Sequence, residues 1–76
     1  MGPTKKLTAS QIFSDKLLHQ ALQIDRDNRS YTLRMKQYRE LVQENIEGIN
    51  ARTGQENDPG YLSYLLEYLI AHGARK

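Results

Sequence analysis

Seventy-six residues without one cysteine exclude a disulfide framework and thiolate metal sites, and two histidines, His19 and His72, are too few for a histidine-rich metal site. Eleven basic and nine acidic side chains leave a net charge of only +2. A chain this short makes a single domain, residues 1–76, with a small core and marginal stability, so a second copy is the most available extra source of it.

No stretch approaches the roughly 18 apolar residues that span a bilayer. Lys5 and Lys6 are followed by mixed polar sequence, so no signal peptide is expected, and Pro3 and Lys6 stand against myristoylation of Gly2. The missing cysteines fit a reducing compartment, and the expected location is cytoplasmic. The charge is unevenly spread. Residues 1–39 hold eight basic and three acidic side chains, whereas 40–76 hold three basic and six acidic. Such asymmetry serves an anionic partner, or it draws the two halves together within or between chains.

In chain order, Met1–Leu7 is a short polar terminus, expected to be loose. Thr8-Ala-Ser-Gln11 matches a capping box, with Leu7 and Ile12 placed as a hydrophobic staple. A first helix is expected from Ala9 to Gln23, with Phe13, Leu17 and Ile24 along one side and Leu18, Ala21 and Leu22 widening it. Ser14, Asp15, Lys16 and Gln20 are read as solvated. Asp25 to Ser30 is a polar cluster of turn formers that suits a tight link between antiparallel helices.

The second helix, Tyr31 to Arg52, is the longest expected element, roughly 33 Å at the usual rise. Tyr31, Met35, Tyr38, Val42 and Ile49 recur at helical spacing, and only Asn45 interrupts the stripe. Ser30 is its expected N-cap and Gly54 its left-handed stop. Its basic start (Arg34, Lys36, Arg39) and acidic continuation (Glu40, Glu44, Glu47) run against the helix dipole. Thr53–Asn57 forms the next connection. Asp58-Pro59 reads as N-cap and first helical residue, with a Pro-Gly turn as the alternative.

A third helix is expected to run to His72 and end at Gly73, with residues 74–76 fraying. Leu62, Leu65, Leu66, Leu69 and Ile70 form one arc; Tyr61, Tyr64 and Tyr68 form a second beside it; Ser63 and Glu67 leave a narrow polar strip. Two apolar arcs exceed what packing on a helical hairpin requires. The leucines can face the core while the tyrosines, large rigid rings with polar tips, meet another chain. The competing possibility is that a three-helix core consumes both arcs.

Little in the chain carries catalytic chemistry. Asp25-Arg-Asp-Asn opens like a calcium loop, but Arg29, Ser30 and Lys36 occupy positions that need a ligand, a glycine and a bidentate glutamate. Asp15 and His19 stand one turn apart, yet the neighbouring Ser14 points about 100° away around the helix. Glu40, Glu44 and Glu47 share a solvated flank without the cleft that acid–base work needs. The five glycines never cluster as a phosphate loop. No enzyme activity, cofactor, metal or small-molecule substrate is expected.

The fold expected is all-α: a helical hairpin plus a third helix around a long central helix, and dimeric. The function expected is a non-enzymatic adaptor or regulator that binds itself or a protein partner through Tyr61, Leu62, Tyr64 and Tyr68. The alternative is a small DNA-binding regulator that contacts phosphates through Arg26, Arg29, Arg34, Lys36 and Arg39. Helix lengths and linkers fit a helix-turn-helix poorly, and the carboxylates continuing the second helix oppose a phosphate backbone.

Overall fold

A computed structural model describes residues 9–74, and every regular element among them is helical. Five α-helices follow in order: α1 (Ala9–Ile12), α2 (Asp15–Asp27), α3 (Tyr31–Glu44), α4 (Ile46–Thr53) and α5 (Pro59–Leu69). The chain leaves α5 through a π-helical turn, Ile70–Ala74. The all-α expectation holds for these residues. The staple at Leu7, the cap at Thr8 and the expectation of loose ends at 1–7 and 74–76 lie outside the described residues, apart from Ala74, which belongs to the π-helical turn.

Each long helix read from the sequence is divided, and each division has a local cause. The first breaks at Phe13-Ser14, because the Ser14 hydroxyl accepts the Leu17 N–H at 3.1 Å and starts α2 afresh. Ser14 is therefore a cap and not a solvated mid-helix residue, and Phe13 turns fully into the core. Helix α2 then outruns its expected end. Asn28 closes it by donating both its backbone N–H and its side-chain amide to the Ile24 carbonyl. Asp25–Asp27 is thus the last turn of a helix, and the connection shrinks to Asn28–Ser30.

The second helix breaks at Asn45. Its side-chain amide donates to the Leu41 carbonyl at 2.8 Å, taking the acceptor that its own backbone N–H would use in an α-helix. That N–H turns to Val42 and Gln43 instead. The break relieves the dipole conflict for Glu47 alone, which now lies in the first turn of α4 with Arg52 in its last, whereas Glu44 still ends α3. Arg52 also donates to the Ile12 carbonyl at 3.3 Å, which ties α4 to the end of α1.

The remaining caps fall where the sequence places them. Ser30 accepts the Leu33 N–H, Gly54 adopts φ +75° after α4, and Asp58 accepts the Tyr61 N–H at 2.8 Å with Pro59 as first helical residue. Gly73, expected as the stop of the last helix, instead lies within the π-helical turn.

One core joins these pieces: Phe13, Leu17 and Ala21, then Tyr38, Leu41 and Val42 of α3, Ile49 of α4, Leu62 and Leu66 of α5, and Ile70. Helix α3 is central, packing on α5 and α2, while α2 also meets the π-helical turn and α1 rests on α4. The stripe of the second helix is buried from Tyr38 onward, but Tyr31 at its start is 51% exposed.

Candidate functional site

Helix α5 divides sharply around its circumference. At about 100° per residue, Leu62 and Leu66 share a side with Ile70, and all three are buried to 1% or less. Tyr61, Tyr64 and Tyr68 share another and are 61%, 63% and 59% exposed. Leu65 and Leu69 lie between, half-buried against the core. Leu62 corrects the expected partner-binding set: it belongs to the interior and offers nothing to another molecule. The tyrosines of the set stand together outside.

The polar strip of the sequence reading also turns inward. Ser63 is only 3% exposed, and its hydroxyl donates to the Gly60 carbonyl of the same helix at 2.7 Å, so its burial leaves no orphaned donor. Glu67 lies beside Arg34 of α3. The Arg34 guanidinium sits between two carboxylates, with Nε 3.8 Å from Glu67 and 3.7 Å from Asp25. All three side chains are about 15% exposed. Nη1 of the same group donates to the carbonyls of Asn28 and Arg29 at 3.1 and 2.9 Å, and its central Cζ lies 5.9 Å from the Tyr31 ring centre. Arg34 thereby joins the end of α2, the short connection, α3 and α5.

The basic set of the DNA-binding alternative is divided by this arrangement. Arg26, Arg29, Lys36 and Arg39 are exposed, whereas Arg34 is held by two carboxylates and two carbonyls. Nothing in residue types distinguishes Arg34 from its neighbours. Its spacing from Asp25 and Glu67 becomes meaningful only once α2 and α5 are laid on α3.

The other sequence candidates are engaged locally. His19, one turn from Asp15, places its Nδ1 3.1 Å from the backbone carbonyl of Asp15. Glu40, Glu44 and Glu47 are exposed, as the solvated flank requires. His72 packs its ring on Tyr68, with centroids 4.3 Å apart, and extends the aromatic row by one member. Among the described residues, no group of three or more potential metal ligands gathers, and no helix is long and apolar enough to cross a membrane.

Two features were not found from the sequence. The α4–α5 connection is ordered by neutral amides: Asn50 Oδ1 accepts both the backbone and side-chain N–H of Asn57 at 3.0 and 2.8 Å, and Asn57 also donates to the Thr53 hydroxyl. This network fixes where α5 begins. The second is an apolar groove of about 400 Å³ between α2 and the end of α5, walled by Leu18, Leu22, Leu69, Ile70 and Gly73, with Asp15 and His19 at its edge. The half-buried leucines of both helices signalled it, but their meeting depends on the π-helical turn reaching α2.

The chain matches no protein-family model, no curated protein and no solved structure, so this surface is read from its own geometry and chemistry.

Proposed function

We propose that this protein is a small, non-enzymatic interaction module, an adaptor or regulator of a larger partner, that self-associates through the tyrosine flank of α5. One observation supports this above the others: three rings on one flank are each about 60% exposed while the leucines behind them complete the core. Large aromatic side chains left in water at helical spacing are costly to solvate and well suited to an interface. In this reading α2 and α3 form the hairpin, α5 is the third helix, and the working assembly is a cytoplasmic dimer.

Phosphate binding by the basic first half has weaker support. Arg34 is committed inside the fold, and Glu40 and Glu44 share α3 with Lys36 and Arg39. Sedimentation of the wild type and of Tyr64→Ala/Tyr68→Ala tests the proposal. The wild type should sediment as a dimer at micromolar concentration and the variant as a monomer. Identical monomer profiles for both would remove the self-association reading.

A further inference from the structure

We infer that the groove between α2 and α3 receives a short amphipathic helix of basic character, supplied by a protein partner. This site uses none of the α5 tyrosines and does not depend on self-association.

The groove has a volume of about 490 Å³. On α3 its lining runs from Leu33 to Glu44, about three turns or roughly 16 Å. Leu41 is buried and Ile24 of α2 half-buried, and both belong to its apolar part. Leu33 is 50% exposed there, the only aliphatic side chain among the described large hydrophobic residues left in water. Side chains at successive turns form ridges, and the space between two helices accepts the ridge of a third.

The charge of the lining is opposite to that of the chain. Asp27, Glu40 and Glu44 stand against a single cation, Lys36, whereas the whole chain carries +2. Asp27 accepts a hydrogen bond from Gln23 at 3.0 Å, but among the described residues neither Glu40 nor Glu44 forms an ion pair. Their placement disfavours the free protein. One turn apart, the two carboxylates repel each other, and Glu44 ends α3, where the dipole favours a cation. Among the described residues nothing offsets this, since Lys36 stands one turn from Glu40 without pairing with it. An arginine or lysine from outside does offset it. The partner's helix therefore sets an apolar row on Leu33 and Ile24 and cations on Glu40 and Glu44, and covering the apolar part limits screening of those pairs. An acidic segment would meet three carboxylates instead.

The probe is a synthetic helical peptide of about 14 residues, long enough for the groove, with a leucine row flanked by arginines. A second peptide carries glutamate in place of each arginine. Fluorescence anisotropy follows binding of each labelled peptide to the full chain. The arginine peptide should bind, with an affinity that falls about tenfold between low and moderate salt, and the glutamate peptide should not bind. Glu40→Gln/Glu44→Gln should weaken binding about tenfold and yet raise the urea midpoint of the free protein, because the repulsion is gone. Leu33→Ser should weaken binding about threefold with helix content unchanged. Glu47→Gln, at an exposed position on α4 outside the groove, should leave binding unchanged.

No binding of the arginine peptide would overturn the inference, and so would an equal loss in the Glu47 variant. A lowered midpoint in the double glutamine variant would show two carboxylates that support the fold, and would overturn it too. Spermine that displaces the labelled peptide as well as unlabelled peptide does would show that charge alone is read, and would remove a helix as the occupant. Tyr64→Ala/Tyr68→Ala should bind the peptide as the wild type does, so a failure of self-association and a failure of this groove are told apart.

Discussion

The two sides of α5 start from similar material and meet opposite fates. One side carries Leu62 and Leu66, and beside them even Ser63 and Glu67 are drawn inside, the serine bonded to its own helix and the glutamate set against Arg34. The other carries three tyrosines whose rings remain in water. Polarity alone would have sorted them differently, with serine and glutamate outward and rings inward. What sorts them is the neighbour each side meets: α3 offers a guanidinium where Glu67 arrives, and no described element covers Tyr61, Tyr64 and Tyr68. The inward side secures the fold, and the outward side is the one on which the proposed association rests.

The largest expected effect breaks the inward side. Leu66→Ala removes a fully buried side chain where α5 joins the core. It should destabilise the protein by about 3 kcal/mol, read as a lowered midpoint in urea denaturation. In a domain of this size that is a large share of the total. A loss under about 1 kcal/mol would mean that this side of α5 does not anchor the fold.

Next comes Arg34→Ala. It removes donors from the Asn28 and Arg29 carbonyls and leaves Asp25 and Glu67 without the cation between them. The expected cost is about 2 kcal/mol, larger than for an exposed pair because burial limits solvent screening. Replacing Arg39, an exposed cation on the same helix, by alanine should change stability by less than about 0.5 kcal/mol. Equal effects at the two positions would deny Arg34 its place as the tie between α2, α3 and α5.

Asn57→Ala should cost about 1 kcal/mol, by removing the side-chain donor shared by Asn50 and Thr53. It loosens the connection that aims α5 without touching either side of it. Faster amide exchange confined to residues 54–60, with the core unchanged, is the expected signature.

These residues also show where sequence reading succeeds. Ser30, Gly54 and Asp58-Pro59 were legible because a cap is a local device whose partner lies within a few residues. Ser14 and Asn45 use local chemistry too, yet Ser14 reads as a solvated position and Asn45 as a single interruption, because the apolar periodicity resumes beyond each. A polar residue inside a periodic run does not reveal whether its side chain will take a backbone partner and divide the helix. Arg34, Ser63 and Glu67 were illegible for another reason. A helical projection ranks residues around one axis but does not say which arc meets a neighbour. The tyrosine row was found because three rings at one spacing share a flank whatever the neighbours are, whereas Leu62, one step away in sequence, went to the wrong side of the boundary.

The smallest expected effect on stability is the one that isolates the outward side. In Tyr64→Ala/Tyr68→Ala both removed rings are mostly in water, and the ring contact of Tyr68 with His72 is lost. Measured at dilution, where the wild type is monomeric, the urea midpoint should move by less than about 0.5 kcal/mol equivalent, because exposed side chains contribute little to folding. At concentrations where the wild type associates, the two proteins should diverge, since only the wild type gains stability by mass action. A concentration-dependent midpoint for the wild type beside a constant one for the variant separates a side chain kept for the fold from one kept for another molecule. If the double variant is strongly destabilised even as a monomer, the rings are structural, and the division of α5 into two sides loses its functional meaning.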